Sequence, residues 1–219
     1  MEPGCEVGLR IDQTLTQDAT GTMAYLEYEA MGIPRVRTEL SVAYIDHNTL
    51  QSGFMNADDH RFIRTIAKKI GVRYSRPGNG ICHQVHLERF AKPGKTLIGS
   101  DSHTRYGALG TMAIGEGGPE LVKQLLCRTY DIKRPEVVCV YMSGKPKPGV
   151  GPQDVALAII GAVFESGFVK NKVLEFVGDG IANLPIEFRN GIDVMTTETT
   201  CLSSIWMTDD ETKRYFTVH

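Results

Sequence analysis

Short apolar runs alternate with amphipathic stretches along most of the chain. Residues 42–45 and 173–177 have the β-branched and aromatic character of strands, whereas residues 61–70 and 116–126 carry apolar side chains at helical spacing. No internal repeat or low-complexity tract interrupts this order. The alternation predicts a layered α/β domain with a mainly parallel sheet.

Residues at the ends of these stretches support the prediction. Gly71 directly follows 61–70 and is a favoured residue at the C-terminal end of a helix. Residues 72–74 then predict a short strand. Pro119 lies near the first turn of 116–126, where its missing N–H costs little. The sequence therefore predicts where these helices begin and end as well as their order.

Two apolar segments predict buried elements. Residues 155–164 form the longest apolar run, which is about half the length of a membrane span. Asp154 before the run is a favoured N-cap, which predicts that the run is a helix. Because the run is apolar throughout, we expect this helix to be buried in the core. Residues 137–142 are apolar almost throughout and predict a strand covered on both faces. The Pro- and Gly-rich residues 145–152 are interpreted as a loop within a single domain that spans residues 1–219.

Charge and cysteine usage exclude several classes of protein. The net charge is −2 with no stripe of Lys or Arg, so binding to nucleic acid or to an anionic membrane is not favoured. No secretion signal is visible at the N-terminus, and no C-x-x-C pair occurs, which predicts a reducing, cytoplasmic location. The cysteine spacing offers no Zn or Fe–S ligand set. The five cysteines are Cys5, Cys82, Cys127, Cys139 and Cys201.

The most informative segment is the end of an apolar run, where Asp101, Ser102 and His103 stand consecutively before the Gly-rich residues 107–118. Side chains alternate along a strand, so three adjacent polar residues fit the end of a strand beside a cleft better than a packed strand. Strand ends that lead into Gly-rich loops are where open α/β sheets bind ligands. This segment predicts an enzyme.

A second polar break, Asp46-His47, also follows a strand-like run. A carboxylate beside an imidazole stabilises the charged ring and suits it to proton transfer near neutral pH. One such dipeptide is more often a loop cap, but its repetition favours a shared site. His83, His86 and Glu88 would not share one face as a strand or as a helix, so no metal site is predicted there.

Several motifs taken together match one known family. They are Gln17-Asp18-Ala19-Thr20, Asp46-His47, Gly78-Asn79-Gly80-Ile81-Cys82-His83-Gln84, Asp101-Ser102-His103-Thr104, the Gly-rich helix after them and the segment around Glu198. They occur in the family's order and with similar gaps over nearly the whole chain. The chain thus resembles the N-terminal catalytic domain of the aconitase and isopropylmalate dehydratase superfamily. The resemblance implies an α/β/α first domain.

The resemblance also implies an activity and a cofactor. Enzymes of this superfamily are hydro-lyases that remove and add water across a carbon–carbon bond of small hydroxy di- or tricarboxylic acids. Their [4Fe–4S] cluster has one unligated iron that acts as a Lewis acid on the substrate. The reaction further needs a base, an acid for the departing hydroxide and polar groups that hold the substrate.

The residues that match the family's motifs carry expected roles. Gln17 and Ser102 are expected to contact the substrate, and His47 is expected to serve the leaving hydroxide. A carboxylate beside each catalytic imidazole would orient the ring and raise its pKa, although a purely structural polar network is the alternative. The implied catalytic pairs are Asp46 with His47, Asp101 with His83, and Glu198 with His103.

The chain departs from the family in several respects. The family's cluster cysteines lie later in the chain than the Glu198 region, and none of the five cysteines here matches them. Val194 stands where the family usually has Asn, and a valine cannot hydrogen-bond to a cluster-bound ligand. The parent protein therefore acts on a different acid or has lost the iron chemistry. Arg105 is interpreted as a solvated loop residue rather than a contact to an extra anionic group.

These departures predict a fragment of a longer protein, with no cluster bound and no turnover by the isolated chain. A cluster-free member of the fold that binds a carboxylic acid or a macromolecule is one alternative. The other is a subunit of a split enzyme whose partner brings the cysteines. A separated domain would expose partly apolar surface, and the residues after Trp206 are expected to be poorly anchored.

Overall fold

A computed structural model describes residues 2–218 as ten strands and seven α-helices. The strands are β1 (Glu6–Leu9), β2 (Gln13–Thr16), β3 (Leu40–Tyr44), β4 (Arg73–Ser75), β5 (Thr96–Gly99), β6 (Met112–Gly115), β7 (Tyr130–Lys133), β8 (Val137–Tyr141), β9 (Val173–Val177) and β10 (Ser203–Trp206). The helices are α1 (Asp18–Ala30), α2 (Met55–Ile70), α3 (Cys82–Arg89), α4 (Gly118–Leu125), α5 (Pro152–Val163), α6 (Ile186–Met195) and α7 (Asp210–Val218).

The main sheet contains five parallel strands in the order β4-β3-β2-β5-β6. A second parallel sheet has the order β10-β9-β8, and β1 pairs with β7 in a small antiparallel ribbon. Parallel neighbours need long crossover connections, which in this chain contain most of the helices. The predicted α/β class with a mainly parallel sheet is confirmed.

Helices cover both faces of the main sheet because side chains alternate along its strands. Ala43 and Ile45 belong to a core shared with α1, α2 and α4. Val42 and Tyr44 belong to a core on the opposite face, shared with α3, Ile186 of α6 and α7. The predicted α/β/α layering is therefore confirmed.

A third core lies between the three-stranded sheet and the helices α5 and α6. Phe176 of β9 and Trp206 of β10 stack in it with ring centroids 4.0 Å apart. The strand predicted over residues 173–177 has the observed bounds of β9. This core fixes the segment that leads to Glu198, and it thereby brings a distant part of the chain to the candidate site.

The helix ends follow the predicted signals with one difference. Gly71 ends α2 in the left-handed conformation with φ 87°, and Pro119 occupies the first turn of α4. Gly151, rather than Asp154, is the N-cap of α5. The Asp154 carboxylate instead accepts a hydrogen bond from the Gly151 N–H at 2.8 Å, which satisfies a free donor of the first turn.

Two expectations about buried elements are wrong. Residues 155–164 do form most of α5, but Ala156 is its one buried residue, and Leu157 and Phe164 are 55% and 57% exposed. β8 is an edge strand with exposed side chains that include Val137. An apolar run shows that one face is buried, but it does not show whether another element covers the second face. None of the helices described within residues 2–218 is long and apolar enough to cross a membrane.

The residues after Trp206 are also better anchored than expected. Asp209 accepts two hydrogen bonds from the buried guanidinium of Arg189, at 3.0 and 2.8 Å. The same carboxylate accepts from the N–H of Thr212 in the first turn of α7. Tyr215 packs into the core formed with α3. A buried guanidinium requires a charged partner, so Arg189 fixes the start of α7.

We expect Asp209→Ala to lower the free energy of unfolding by about 3 kcal/mol, because it leaves Arg189 buried and unpaired. Urea unfolding at pH 7 measures the loss. Lys213→Ala is the matched control, since it removes an exposed charge from the same helix and should cost less than about 0.5 kcal/mol. Equal losses in the two variants would show that Asp209 does not anchor α7.

Candidate active site

The candidate site lies at the carboxyl ends of the main-sheet strands, where the strand order reverses. The connection after β2 leads to β3 on one side, whereas the connection after β5 leads to β6 on the other. The crevice at such a switch point is where open α/β sheets bind ligands. Gln17, Asp46 and Asp101 follow β2, β3 and β5 and therefore meet at this edge.

Asp101 connects three segments of the site. Its Oδ1 accepts from His83 Nε2 at 3.0 Å and from the backbone N–H of His103 at 2.8 Å. Its Oδ2 accepts from His47 Nε2 at 3.1 Å. The His83 hydrogen bond is the main reason why the pKa of Asp101 lies well below its usual range, although partial burial opposes the shift. Asp101 is therefore charged throughout the neutral range.

His47 lies between two carboxylates. Its Nδ1 is 3.0 Å from Asp46 Oδ1, and its Nε2 faces Asp101. Burial disfavours the charged ring, but the hydrogen bond to Asp46 and the charges of both carboxylates outweigh it and raise the pKa of His47. The side chain is 36% exposed. His47 can therefore hold a proton and still reach a ligand at this edge of the sheet.

Asp46 and Tyr106 set the geometry of the two neighbouring imidazoles. The second oxygen of Asp46 accepts from the backbone N–H of Cys82 at 2.6 Å, which ties the loop after β3 to the start of α3. His83 Nδ1 lies 2.9 Å from the Tyr106 hydroxyl. Because His83 Nε2 faces a carboxylate, Nε2 carries the proton and Nδ1 accepts from Tyr106. The His83 ring is thus held in one tautomer.

The third imidazole–carboxylate pair joins two distant parts of the chain. His103 Nε2 lies 3.0 Å from Glu198 Oε1, and Glu198 belongs to the short 3-10 turn Thr196–Thr199 after α6. Thr197 in the same turn donates to the Ser102 carbonyl at 2.6 Å. Ser102 is exposed, with its hydroxyl 3.4 Å from His103 Nδ1.

Gln17 occupies a structural position as well as a place at the crevice. Its side-chain oxygen accepts from the N–H groups of Ala19 and Thr20, at 2.5 and 3.2 Å, and so caps α1. The backbone N–H of Gln17 donates to the Ser100 hydroxyl across the β2–β5 boundary. Both acceptor positions of the amide oxygen are used, so its NH₂ group is the part that could contact a ligand.

Asp18 is an important residue to which the sequence reasoning assigned no role. Its carboxylate is fully buried and accepts from the backbone N–H groups of Asp46, His47 and Asn48. His60 of α2 donates to the same carboxylate at 2.9 Å. Burial alone would raise the pKa of Asp18, but these donors lower it. The signal available in the sequence was an Asp in the first turn of a helix that starts shortly after a strand.

Metal ligation by these residues is unfavourable. Asp46, His47 and Cys82 offer donor atoms within 4.8 Å of one another. Burial, together with the nearby Asp46 carboxylate, raises the pKa of the Cys82 thiol, which stays protonated and is a poor ligand. His86 lies apart in the core, and burial lowers its pKa to about 3. The His86 ring instead contacts the Tyr44 hydroxyl and the Gln13 amide oxygen, at 3.0 and 2.9 Å.

The cysteines of the chain do not fit an iron–sulfur cluster. Cys5 and Cys139 are exposed, Cys82 and Cys201 are buried, and Cys127 is intermediate. Within residues 2–218, no three of these thiols come together as a ligand group. A cluster needs thiolate ligands on its irons, so this chain alone does not supply the donors for one.

The interpretation of Arg105 as a solvated loop residue is wrong. Arg105 is buried and donates to the carbonyls of Thr104 and Cys201, at 3.1 and 3.0 Å. It therefore joins the loop that contains Asp101 to the chain leading into β10. Its position could not be read from the sequence because its partner carbonyl lies 96 residues away.

Comparison with known proteins agrees with this arrangement. A model of the aconitase family (aconitate hydratase) matches residues 2–219. The chain belongs to the aconitase family. In each of the three pairs that the resemblance implies, an imidazole nitrogen lies 3.0 Å from a carboxylate oxygen; the pairs are His47 with Asp46, His83 with Asp101 and His103 with Glu198.

The relatives within the aconitase family are much longer than this chain. Mitochondrial aconitate hydratase of Saccharomyces cerevisiae is 33% identical over 184 residues, which are 79% of this chain and 23% of the relative. The 3-isopropylmalate dehydratase large subunit 2 of Archaeoglobus fulgidus is 31% identical over 206 residues, which are 94% of this chain and 49% of the relative. The 3-isopropylmalate dehydratase large subunit of Elusimicrobium minutum is 32% identical over 208 residues, which are 94% of this chain and 49% of the relative. The chain spans from about a quarter to about half of the length of these relatives.

We expect Asp101→Asn to lower the pKa of His47, because it removes one of the two carboxylates that favour the charged ring. Titration of the imidazole C–H signals by NMR measures the change. Glu198→Gln is the control, since Glu198 pairs with His103 and does not contact His47. An unchanged His47 pKa in Asp101→Asn would contradict the bridging arrangement.

We further expect Asp18→Asn to cost about 2 kcal/mol of stability at pH 7, the range of a lost hydrogen-bonded charge. The folded state lowers the pKa of Asp18 below its value in the unfolded chain, which is about 4. The Asp18 carboxylate therefore contributes its full stabilisation above about pH 4, and that stabilisation is lost as the pH falls through the folded-state pKa. The difference between Asp18→Asn and the original chain should therefore shrink below pH 4 in urea unfolding. Asp58→Asn, at an exposed position of α2, should not change this pH dependence.

Proposed function

We propose that this chain is the first domain of an aconitase-like hydro-lyase and supplies the proton-transferring half of its active site. The observation that carries the proposal is the contact of Asp101 with both His47 and His83 at the sheet's switch point. Three imidazoles beside carboxylates in one crevice suit the addition and removal of water, which needs both an acid and a base. The substrate is a small hydroxy di- or tricarboxylic acid.

Each imidazole has a role that its contacts support. His47 is exposed, and the carboxylates on both sides orient its ring and raise its pKa, so it can donate a proton to the departing hydroxide. His83 is oriented by Tyr106 and holds Asp101 in place. Glu198 orients the ring of His103, which is a further imidazole that can take up or release a proton. These roles depend on carboxylates that keep each ring in position.

Two further residues would hold the substrate. Ser102 presents an exposed hydroxyl beside His103, and Gln17 retains a free NH₂ group at the end of β2. Both groups can donate to a substrate carboxylate. A carboxylic acid is therefore a better fit to this crevice than an uncharged ligand.

We propose that the thiolate ligands of a [4Fe–4S] cluster come from outside this chain. A later part of the same polypeptide or a partner subunit would supply them, and the isolated chain would be inactive. The length of the relatives supports this proposal, since the chain covers 23% or 49% of them. The five unpaired thiols fit a reducing compartment such as the cytoplasm.

Two alternative functions have observations in their favour. A subunit of a split enzyme is favoured by relatives that are named as dehydratase large subunits and align with 94% of this chain. A cluster-free member that only binds a carboxylic acid is favoured by the absence of a thiol ligand group among residues 2–218.

Expression of the complete reading frame, with any adjacent subunit gene, tests the leading proposal. We expect hydration of aconitate or dehydration of 2-isopropylmalate by the complete protein, and a fall of about 10²- to 10⁴-fold in kcat for His47→Gln. Glu211→Ala, which lies in α7, should leave kcat unchanged.

Two results would contradict the proposal. Robust turnover by the isolated 219-residue chain would show that no further part is needed. An unaltered kcat in His47→Gln would remove the proton-transfer role from this crevice.

A further inference from the structure

A separate cleft of about 690 Å³ lies between α2, β4 and the loop that follows β4. This volume is typical of small-molecule sites. Three arginines line the cleft, Arg61 and Arg64 from α2 and Arg76 from the loop. None of the residues assigned above to proton transfer or substrate contact lines it. The cleft is therefore distinct from the candidate active site.

We propose that this cleft binds a small anion that carries at least two charged oxyanion groups. Polyphosphates and polycarboxylates share this chemistry. The inference does not depend on the hydro-lyase function, because it rests on residues outside the active site.

The three arginines have no carboxylate partner among residues 2–218. The ion pairs in this part of the chain involve other cations, such as Arg189 with Asp209 and Arg214 with Glu211, and none includes Arg61, Arg64 or Arg76 within 4.0 Å. Three unpaired like charges around one cleft repel one another. An anion gains their combined attraction and relieves this repulsion.

The geometry of the cleft suits a multidentate anion. Arg61 and Arg64 are three residues apart on α2 and so lie on one face of the helix. Arg76 lines the same cleft from the loop after β4, so the three guanidinium groups come from two different elements. Guanidinium groups donate in a planar fork that matches carboxylate and phosphate oxygens. Guanidinium groups from two elements can hold two oxyanions of one molecule.

Neutral donors complete the lining. Tyr74 is partly buried, which raises its pKa, and the nearby Arg64 guanidinium opposes the shift without reversing it. Its hydroxyl therefore keeps its proton and can donate to an anion. His60 also lines the cleft and is fixed by its hydrogen bond to Asp18. A wall held in place in this way needs little reordering when a ligand binds.

Calorimetric titration of the full chain with pyrophosphate, and separately with citrate, tests the proposal at low salt. We expect saturable binding that weakens about tenfold in Arg64→Gln and in Arg76→Gln, the loss of a charge-assisted hydrogen bond. Arg128→Gln removes the same charge from an exposed position outside the cleft and should change the affinity by less than about twofold. Circular dichroism confirms that each variant is folded.

The two ligands separate the possible sources of the anion. Citrate also belongs to the substrate class proposed for the active site, so only binding that Arg64→Gln and Arg76→Gln weaken is assigned to the cleft. Within that binding, tighter pyrophosphate indicates a phosphorylated compound and tighter citrate a polycarboxylate; either result supports the proposal. Absence of saturable binding to both ligands would overturn it. So would binding that Arg64→Gln and Arg76→Gln leave unchanged, or that Arg128→Gln weakens equally.

Discussion

The carboxylate of Asp101 is the group on which the candidate site depends. Its oxygens accept from His83, from His47 and from the backbone of His103, which belong to three separate segments. A partly buried carboxylate remains charged when such donors replace its water, and the charge in turn orients each donor. Asp101 therefore fixes the positions of the His47 and His83 rings and of the loop that contains His103.

A second carboxylate, Asp18, holds the loop that presents Asp46 and His47. Three consecutive backbone N–H groups of this loop donate to it, so the conformation of the loop is set from the neighbouring strand end. His60 contacts Asp18 on one side and lines the arginine cleft on the other. His60 thus connects the proposed anion cleft to Asp18, which holds the loop of Asp46 and His47.

The pair of His103 with Glu198 requires both parallel sheets to be in place. Glu198 lies in a turn held by α6 and β10, and Arg105 and Thr197 connect that region to the loop after β5. Residues 2–218 thus hold a folded arrangement of imidazoles and carboxylates in which no three thiols form a ligand group.

The sequence by itself determined several of the strands and helices, including β9 and the helix that ends at Gly71, and the position of Pro119 in the first turn of α4. The residues of the three implied pairs came from the order of the family's motifs along the chain. These features depend on local periodicity, turn residues and motif order, which neighbouring positions record. Tertiary structure alone decided that Asp101 also bridges to His47, that Arg105 is buried and that one face of α5 is exposed. Burial and hydrogen-bond partners are set by groups far away in the chain, so no local pattern could specify them.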